Sequence, residues 1–513
     1  MTDENPSPSK SDRACSQGRS PVVERSLAGK AGLVIGVVLA VWLIGWQPLG
    51  SGEPGLNRMA GVTALMAAWW MTEALPLAAT ALVPLALFPA LGIATPAQTA
   101  VSYGDRMIFL FLGGFLVALA IEESGLHRRV ALHIVKLMGD NPRLIVLGFM
   151  LATGLLSMWL SNTATALMML PIATSVVLQA DRAAPEGKSP HGFGAALMLS
   201  IAYASSIGGV ATLIGTPPNI FFRSFYSETY PDLPEISFGG WMVLAVPLSA
   251  TFLLVCWLTL VWLFRVQRTG IMGGHDVIAK ELASLGPMRT SEWRMAGIFA
   301  ATALLWIFRE PVEDWGWGPA LGLDAKGFGV DDSTVAILMG LVCFLLPAGG
   351  KERRPLLTWQ ATARVPWGIL LLFGGGMALA ESMQSSGLST YVGQKLAGTV
   401  EGLPPLGMAA VMAFGMTWLT EVTSNLASVQ MILPILGGAA TELGVPPAVL
   451  MVPATLAASC AFMLPVATPP NAIVYASGCI RMRDMVLAGA TLNTLTVVIV
   501  TLFIWLLGSA VGA

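Results

Sequence analysis

Long apolar blocks separated by short polar segments dominate the chain. Their approximate bounds are 31–48, 60–75, 77–93, 107–126, 144–180, 194–225, 241–264, 296–308, 334–347, 367–385, 405–440, 448–478 and 487–511. A membrane-spanning helix needs about 20 predominantly apolar residues, and several blocks reach or approach that length. The pattern predicts an all-α polytopic membrane protein.

Four of these blocks are interrupted by small polar residues or prolines. Blocks 144–180 and 405–440 are too long for one span, and each carries a Ser-Asn pair near its middle. We interpret them as re-entrant hairpins. Blocks 194–225 and 448–478 each contain Thr-Pro-Pro-Asn and are interpreted as spans broken near the midplane. The whole pattern therefore predicts about eleven transmembrane helices plus two re-entrant hairpins.

The interruptions occur twice in the same order. The Ser-Asn pairs at 161–162 and 424–425 are offset by 424 − 161 = 263 residues, and a Leu-Pro-Ile follows each at the same offset. The Thr-Pro-Pro-Asn motifs at 216–219 and 468–471 are offset by 468 − 216 = 252. Matched interruptions in two halves are the best sequence indication of a transporter binding site. We infer an internal repeat.

Charge bias orients the chain in the membrane. Segments 128–143, 265–294, 351–364 and 481–483 are rich in Lys and Arg, whereas 226–240 and 309–332 are mainly acidic. Because basic loops favour the cytosol, we expect a cytosolic N-terminus and an extracytoplasmic C-terminus in the inner membrane. The first hairpin then opens inward and the second outward, so the repeat is inverted. Residues 1–29 are expected to form a disordered cytosolic tail.

Composition narrows the class of protein further. Charged residues make up 11% of the chain, against roughly 25% in soluble domains. The net charge of −2 gives no reason to expect a nucleic-acid partner. The five cysteines show no Cys-x-x-Cys spacing, so neither a disulfide framework nor a zinc site is indicated. Common hydrolase and nucleotide-binding motifs are absent from the sequence, which argues against an enzyme.

The interrupted segments carry the candidate chemistry. Unwound carbonyls and Ser, Thr and Asn side chains supply oxygen ligands for a cation, and half-helix N-termini favour an anion. The same residues alone could simply satisfy the backbone of a kinked helix, but their duplication in register favours a site. The sequence thus indicates a secondary active anion transporter, with an anion channel as a lower-ranked alternative.

The motifs resemble those of a known family. Trp69-Trp70-Met71-Thr72-Glu73-Ala74-Leu75-Pro76, the two Ser-Asn tips and the two Thr-Pro-Pro-Asn breaks are similar to those of the divalent anion/sodium symporter (DASS) family over about residues 30–511. The resemblance implies a homodimer in which a mobile transport domain slides as an elevator along a static scaffold. It also implies carriage of dicarboxylates, citrate or sulfate.

Carried over by position, the resemblance implies domains and ligands. The scaffold would comprise 30–143 and, with a cytosolic linker, 266–385; the transport domain would comprise 144–265 and 386–513. Na⁺, the co-transported ion, would bind at a first site of Ser157, Ser161, Asn162 and Gly215, and at a second site of Thr420, Thr423, Asn425 and Ala467. Substrate would contact Asn162, Thr163, Thr216, Pro217, Asn425, Leu426, Thr468 and Pro469.

One position departs from the family pattern. Leu426 stands where many bacterial dicarboxylate carriers have Thr, which removes a hydroxyl from the second tip. We expect sodium-coupled uptake of a C4 dicarboxylate such as succinate, malate or fumarate, with a sodium-independent exchanger or a sulfate transporter as alternatives. Three acids, Glu73, Glu381 and Glu421, lie in apolar sequence. A structural role is expected for Glu73, and Glu421 is either structural or involved in coupling.

Overall fold

The computed structural model describes residues 27–49, 54–183, 191–267, 274–310, 316–323, 329–350 and 352–507. Residues 1–26 of the expected N-terminal tail lie outside these ranges. The first helix begins at Leu27, slightly before the expected end of the tail. Parts of the acidic segment 309–332 and the last six residues also lie outside the described chain.

The described chain is almost entirely helical, as the sequence predicts. Its helices are α1 (Leu27–Trp46), α2 (Pro54–Thr72), α3 (Leu77–Thr80), α4 (Val83–Leu91), α5 (Pro96–Val101), α6 (Arg106–Ser124), α7 (Leu126–Lys136), α8 (Pro142–Ser157), α9 (Asn162–Ala183), α10 (His191–Val210), α11 (Pro217–Thr229), α12 (Phe238–Leu263), α13 (Gly274–Ser284), α14 (Thr290–Ile307), α15 (Trp317–Ala320), α16 (Asp332–Leu345), α17 (Trp367–Ser385), α18 (Leu388–Val400), α19 (Pro405–Leu419), α20 (Asn425–Leu443), α21 (Pro447–Ala458), α22 (Pro469–Ala476) and α23 (Met482–Leu507). Strands β1 (Pro347–Gly349) and β2 (Glu352–Pro355) form an antiparallel hairpin that the sequence did not predict.

Several helices are long and apolar enough to cross a membrane. Within the described residues seven meet this test, and an eighth span results if α18 and α19, which are bent by 112°, are taken together. Other apolar helices, among them α8 and α21, are shorter because they end at the interruptions. The polytopic membrane fold is confirmed, whereas the count of about eleven spans stays a prediction.

All four interruptions are breaks between helices. The Ser-Asn tips separate α8 from α9 and α19 from α20, and the Thr-Pro-Pro-Asn motifs separate α10 from α11 and α21 from α22. In each case the motif begins the following helix. Proline is favoured in a first helical turn, where its missing amide hydrogen has no helical partner to lose, and Pro217 and Pro469 stand at the starts of α11 and α22.

Helix α10 forms the centre of the packing. Its residues 193–210 are all buried, and it contacts α8, α9, α12 and α22. Small residues permit this: a Cβ on Gly208 would lie 2.2 Å from the Gly154 carbonyl oxygen on α8. Since α22 belongs to the second half of the chain, this packing brings the two halves together at their breaks.

A buried ionic cluster connects α11 to more distant helices. Arg223 on α11 lies 2.7 Å from Asp332 at the start of α16, and Asp332 also lies 2.7 Å from Arg309 after α14. All three side chains are 3% exposed or less. Glu235, which is partly exposed, pairs with Arg223 at 3.1 Å. The cluster anchors the middle of α11.

Candidate functional site

The first tip gathers three oxygen atoms around Ser157. The Ser157 hydroxyl oxygen lies 2.6 Å from Oδ1 of Asn162 and 2.7 Å from the carbonyl oxygen of Ser205 on α10. Ser157 is fully buried. A hydroxyl has one proton, so it can donate fully to only one of these acceptors. At least one oxygen lone pair therefore remains without a hydrogen-bond donor, and such oxygen atoms can ligate a dehydrated cation.

Gly209 allows the first break to approach this tip. A Cβ on Gly209 would lie 2.6 Å from Asn162 Oδ1 and 2.9 Å from the carbonyl oxygen of Gly215. Three of the four predicted ligands of the first cation site therefore lie close together, because Ser157 contacts Asn162, and Asn162 and Gly215 both face Gly209. The fourth, Ser161, caps a helix instead: its hydroxyl accepts a hydrogen bond from the Ala164 amide at 3.2 Å at the start of α9.

Asparagine and threonine side chains hold the first break in shape. Asn219 donates through Nδ2 to the carbonyl oxygens of Val210 at 3.1 Å and Thr212 at 2.8 Å. The Thr212 hydroxyl donates to the Met158 carbonyl at 2.5 Å and accepts from the Gly215 amide at 3.1 Å. These bonds satisfy backbone groups that the interrupted helix leaves free. They also join the break to the tip.

The second break repeats the asparagine clamp. Asn471 donates through Nδ2 to the carbonyl oxygens of Ala461 at 3.1 Å and Leu464 at 3.0 Å. Its position matches Asn219, since 471 − 219 = 252. The last residue of each Thr-Pro-Pro-Asn motif thus stabilises the unwound backbone in front of it. Within the part of the chain that the structure describes, both asparagines retain a buried Oδ1 without a hydrogen-bond partner.

The second tip is arranged differently from the first. Thr420 donates back to carbonyl oxygens of its own helix, and Thr423 lies 2.6 Å from the Ser428 hydroxyl. Asn425 is half-buried, yet its Oδ1 is buried and has no hydrogen-bond partner among the described residues. An unsatisfied buried acceptor is costly, and a cation ligated by Asn425 would remove that cost. Ala467, at the end of the second break, is buried.

The predicted substrate contacts lie where the halves meet. The Thr216 hydroxyl lies 3.3 Å from the Ser459 hydroxyl of the second break. The hydroxyl of Thr468 accepts a weak bond from the Asn471 amide at 3.4 Å. Because the prolines that begin α11 and α22 carry no amide hydrogen, hydroxyls and the first-turn amides of α9 and α20 are the anion donors that remain.

Exposure distinguishes the remaining predicted substrate residues. Thr163 and Pro217 are half-buried and Pro469 is exposed. Leu426 is only 4% exposed. The leucine side chain is therefore enclosed by protein on the α20 face, while its counterpart Thr163 keeps accessible surface.

The first tip also contacts helices of the 30–143 and 266–385 segments. Trp159 packs edge-on against Phe299 with ring centroids 5.0 Å apart and stacks with Trp306 at 6.4 Å, both on α14. A small cavity adjoins this tip and is lined by Phe111, Gly114, Phe115, Trp159, Leu160, Ser161 and Ile214. The cavity separates Ser161 from α6.

The three acids have distinct surroundings. Glu421 is 3% exposed and accepts hydrogen bonds from the amides of residues 462–464. Glu381 accepts a bond from the Ser102 hydroxyl at 2.9 Å. Glu73 is exposed and follows α2 with φ 49°, a left-handed conformation typical of a helix end.

Sequence reasoning missed several residues that form the site. Ser205, Gly209 and Ser459 were not singled out, and the two motif asparagines, Asn219 and Asn471, were given no role. The run Ser-Ser-Ile-Gly-Gly at 205–209, directly before the first break, was a usable signal. Small residues in a membrane helix indicate close helix approach. Ser459 had no comparable signal, because its contact with Thr216 joins positions 243 residues apart.

Known proteins resemble this chain in sequence and fold. The family model described as "Sodium:sulfate symporter transmembrane region" matches residues 28–512. Two relatives named sodium-dependent dicarboxylate transporter SdcS, from Staphylococcus saprophyticus and Staphylococcus aureus, are each 40% identical, covering 93% of this chain and 91% of their own.

Two solved structures are similar in fold alone. The YdaH transporter of Alcanivorax borkumensis has a TM-score of 0.56 at 16% identity, covering 87% of this chain and 98% of its own. MtrF of Neisseria gonorrhoeae has a TM-score of 0.52 at 14% identity, covering 80% and 83%. The sequence match extends over nearly the whole chain and includes both tips and both breaks. The chain belongs to the sodium:sulfate symporter family, the divalent anion/sodium symporters that its motifs resemble.

Proposed function

We propose that this protein is a secondary active transporter that couples Na⁺ to the uptake of a C4 dicarboxylate of the succinate, malate or fumarate type. The observation that carries the proposal is the oxygen cluster of Ser157, Asn162 and Ser205 at one of two paired helix breaks. The 40% identity to relatives named sodium-dependent dicarboxylate transporters supports the choice of ion and substrate.

Two Na⁺ sites account for the polar groups at the tips. The first site, near Gly209, would use the oxygens of Ser157, Asn162 and Gly215, with Ser161 nearby. The Ser205 carbonyl oxygen would be a further ligand of this site. The second would use Asn425, with Thr420, Thr423 and Ala467. The unpartnered Oδ1 of Asn425 and the proton-poor contacts of Ser157 fit a cation. Each bound cation would offset the charge of an incoming carboxylate.

The dicarboxylate would bind between the two halves. Each carboxylate would face one half-site, which offers helix N-termini and hydroxyls rather than Lys or Arg. The proposed contacts are Asn162, Thr163, Thr216, Pro217, Asn425, Leu426, Thr468 and Pro469. The Thr216–Ser459 contact supports this location because it joins one break to the other.

We further propose an elevator mechanism in a homodimer. The tips and breaks would travel with segments 144–265 and 386–513, while 30–143 and the helices of 266–385 stay fixed. Helices α7 and α18 hold equivalent places, each beginning after a glycine with φ near 80° (Gly125, φ 80°; Gly387, φ 78°). Helix α7 lies in segment 30–143 and helix α18 in segment 386–513. By repeat symmetry, both helices would link the scaffold to the transport domain.

The proposed orientation has a cytosolic N-terminus and an extracytoplasmic C-terminus in the inner membrane. The orientation is supported by the contacts between loops, because basic segments contact each other and acidic segments are joined to each other. Basic segments 128–143 and 265–294 meet through Arg128–Glu281 and Arg129–Glu292, whereas acidic segments 226–240 and 309–332 meet through Arg223. A cysteine introduced at exposed Leu321 should label from outside in a cysteine-free background. One at exposed Trp359 should label from the cytosol, and the reverse pattern would overturn the topology.

Transport in proteoliposomes tests the function. Labelled succinate, citrate, 2-oxoglutarate and sulfate would each be offered with a Na⁺ gradient, a proton gradient or internal counter-substrate. We expect concentrative succinate uptake with the Na⁺ gradient alone. Uptake that requires internal substrate and ignores Na⁺ would identify an exchanger, preference for sulfate would identify a sulfate transporter, and single-channel currents would identify an anion channel.

A further inference from the structure

The second break is unwound over one more helical turn than the first. With the offset of 252, Val210 at the end of α10 corresponds to Phe462, since 462 − 210 = 252. Helix α21 nevertheless ends at Ala458, four residues earlier. About four residues make one turn of an α-helix. The second half thus loses a turn that the first half keeps.

Glu421 binds three successive amides at the point where the missing turn would end. Its Oε1 accepts hydrogen bonds from the amides of Phe462 at 2.7 Å and Met463 at 2.9 Å, and its Oε2 accepts one from Leu464 at 3.0 Å. Asn493 on α23 adds a fourth donor at 2.7 Å. Successive amides that converge in this way form an anion-binding nest. Here the anion is a side chain of the protein.

The first half lacks this carboxylate. By the tip offset, Glu421 corresponds to Met158, since 421 − 158 = 263. Only the backbone carbonyl of Met158 is bonded to the first break, through the Thr212 hydroxyl. The corresponding residues are 210–212: helix α10 extends to the first of them, Val210, and the Ala211 amide donates to the Gly208 carbonyl oxygen at 3.0 Å. A single difference between the tips therefore accompanies the difference in helix length.

Glu421 is a buried acid that no basic residue neutralises. It is 3% exposed, and in the described part of the chain it forms no ion pair with Lys or Arg. Burial of a charge is costly unless hydrogen bonds or an opposite charge compensate it. The four donors compensate in part. An opposite charge has a place nearby, because Thr420 and Thr423 flank Glu421 and Asn425 follows with its unpartnered oxygen.

We propose that Glu421 is a positioning residue for the second cation site, holding the turn 459–462 unwound and placing a fixed negative charge beside Thr420 and Asn425. This inference rests on the proposed Na⁺ coupling. Unwinding frees carbonyl oxygens at the end of α21 from helical hydrogen bonds, and the carboxylate attracts a cation across a low-dielectric interior. The second site then binds Na⁺ more tightly than the first, whose tip carries Met158 instead.

Na⁺-dependent thermal stabilisation of the purified protein tests the proposal without measuring transport. The Na⁺ concentration giving half-maximal stabilisation would be compared for wild type and Glu421→Gln, with choline replacing Na⁺ at constant ionic strength. Gln keeps the size of the side chain but removes the charge. We expect the half-maximal concentration to rise at least tenfold. An unchanged value would overturn the proposal even if the melting temperature in choline fell.

Two further variants separate charge from general structure. Glu442→Gln neutralises an exposed carboxylate at the end of α20 and should leave the Na⁺ midpoint unchanged. Asn493→Leu removes one donor to Glu421 but keeps the charge; it should lower the melting temperature while shifting the Na⁺ midpoint less than twofold. A shift in this variant as large as that of Glu421→Gln would assign the effect to packing instead.

A folding failure would still leave a test. If Glu421→Gln yields no folded protein, Glu421→Asp keeps the charge but withdraws it from the amides. The Na⁺ concentration for half-maximal succinate uptake by intact cells should then rise at least threefold, and an unchanged value would overturn the proposal. Wild-type protein that shows neither Na⁺-dependent stabilisation nor Na⁺-driven uptake would instead refute the proposed function.

Discussion

The two half-sites share one plan but are held in place by different interactions. In both, a tip and a broken helix meet, and a motif asparagine clamps the unwound carbonyls. The first half is anchored at the middle of α11, where Arg223 joins the buried cluster with Asp332 and Arg309. The second is anchored at its tip by Glu421. The position matching Arg223 is Tyr475, near the end of the much shorter α22.

The two anchors therefore have different consequences: one orients a helix, and the other also places a charge at a tip. An anchor in the middle of a helix fixes the direction of that helix without adding a charged group at its break. An anchor at the tip adds charge directly beside the candidate cation ligands. If the proposed ion sites are correct, the two halves should bind Na⁺ with different strength although their motifs are nearly identical in sequence.

Removal of the first anchor should have the largest effect. Asp332→Ala leaves Arg223 and Arg309 buried without their shared carboxylate, and loss of one partner of a buried ion pair costs about 3–5 kcal/mol. We expect a large drop in melting temperature and in the yield of purified protein. The control is Glu310→Gln, at the rim of the cluster, where the loss should be about 1 kcal/mol or less. Equal stability of the two variants would show that the cluster is no anchor.

The tip asparagines should separate the half-sites in ion binding. Asn162→Ala and Asn425→Ala each remove a proposed cation ligand, so each should lose about 1–3 kcal/mol of Na⁺-dependent stabilisation. Without Na⁺ they should differ. Asn162 loses its contact with Ser157, whereas the Asn425 oxygen has no partner to lose. Thermal unfolding in Na⁺ and in choline measures both effects. If both variants retain wild-type Na⁺ dependence, the ion-site assignment fails.

Substitution of Thr212 tests the hydrogen bonds, made without charged side chains, that join the first tip to the first break. Thr212→Val removes the hydroxyl that bonds the Met158 carbonyl and the Gly215 amide. We expect a loss of about 1–2 kcal/mol in unfolding free energy, together with weaker Na⁺ binding, because buried backbone groups are left unpaired. Thr455→Val is the matched control, since among the described residues that buried hydroxyl bonds only to the Met451 carbonyl of its own helix α21. Similar losses in both variants would contradict a special role for Thr212.

Substitution of Leu426 should have the smallest effect, a change in the preference between succinate and sulfate. If its position faces the substrate, Leu426→Thr adds one hydrogen bond to an anionic head and favours succinate over sulfate by about 0.5–1.5 kcal/mol. Competition curves for the two anions on wild type and variant measure the ratio. Because Leu426 is 4% exposed, an unchanged ratio would place it in the packing of α20. The second half-site would then recognise substrate through Asn425, Thr468 and amides.

Apolar periodicity and breakers predicted most of the architecture. Spans must satisfy their backbone internally, so Ser-Asn and Thr-Pro-Pro-Asn within apolar blocks marked the helix ends that the structure shows near 162, 217, 425 and 469. The β1–β2 hairpin escaped prediction because its strands are too short to show an alternating pattern.

The sequence by itself determined the repeat, the breaks and the polar groups that line them, because these follow from local rules for helices in lipid. Only the tertiary structure decided which groups meet. The Ser157–Ser205 contact, the Thr216–Ser459 contact and the Glu421 nest join residues far apart in the chain. Small residues along α10 make such approaches possible, and their partners depend on how whole helices pack. Met158 and Glu421 occupy matching places in the repeat, but only the packed fold shows that one leaves α10 intact while the other accompanies an unwound turn.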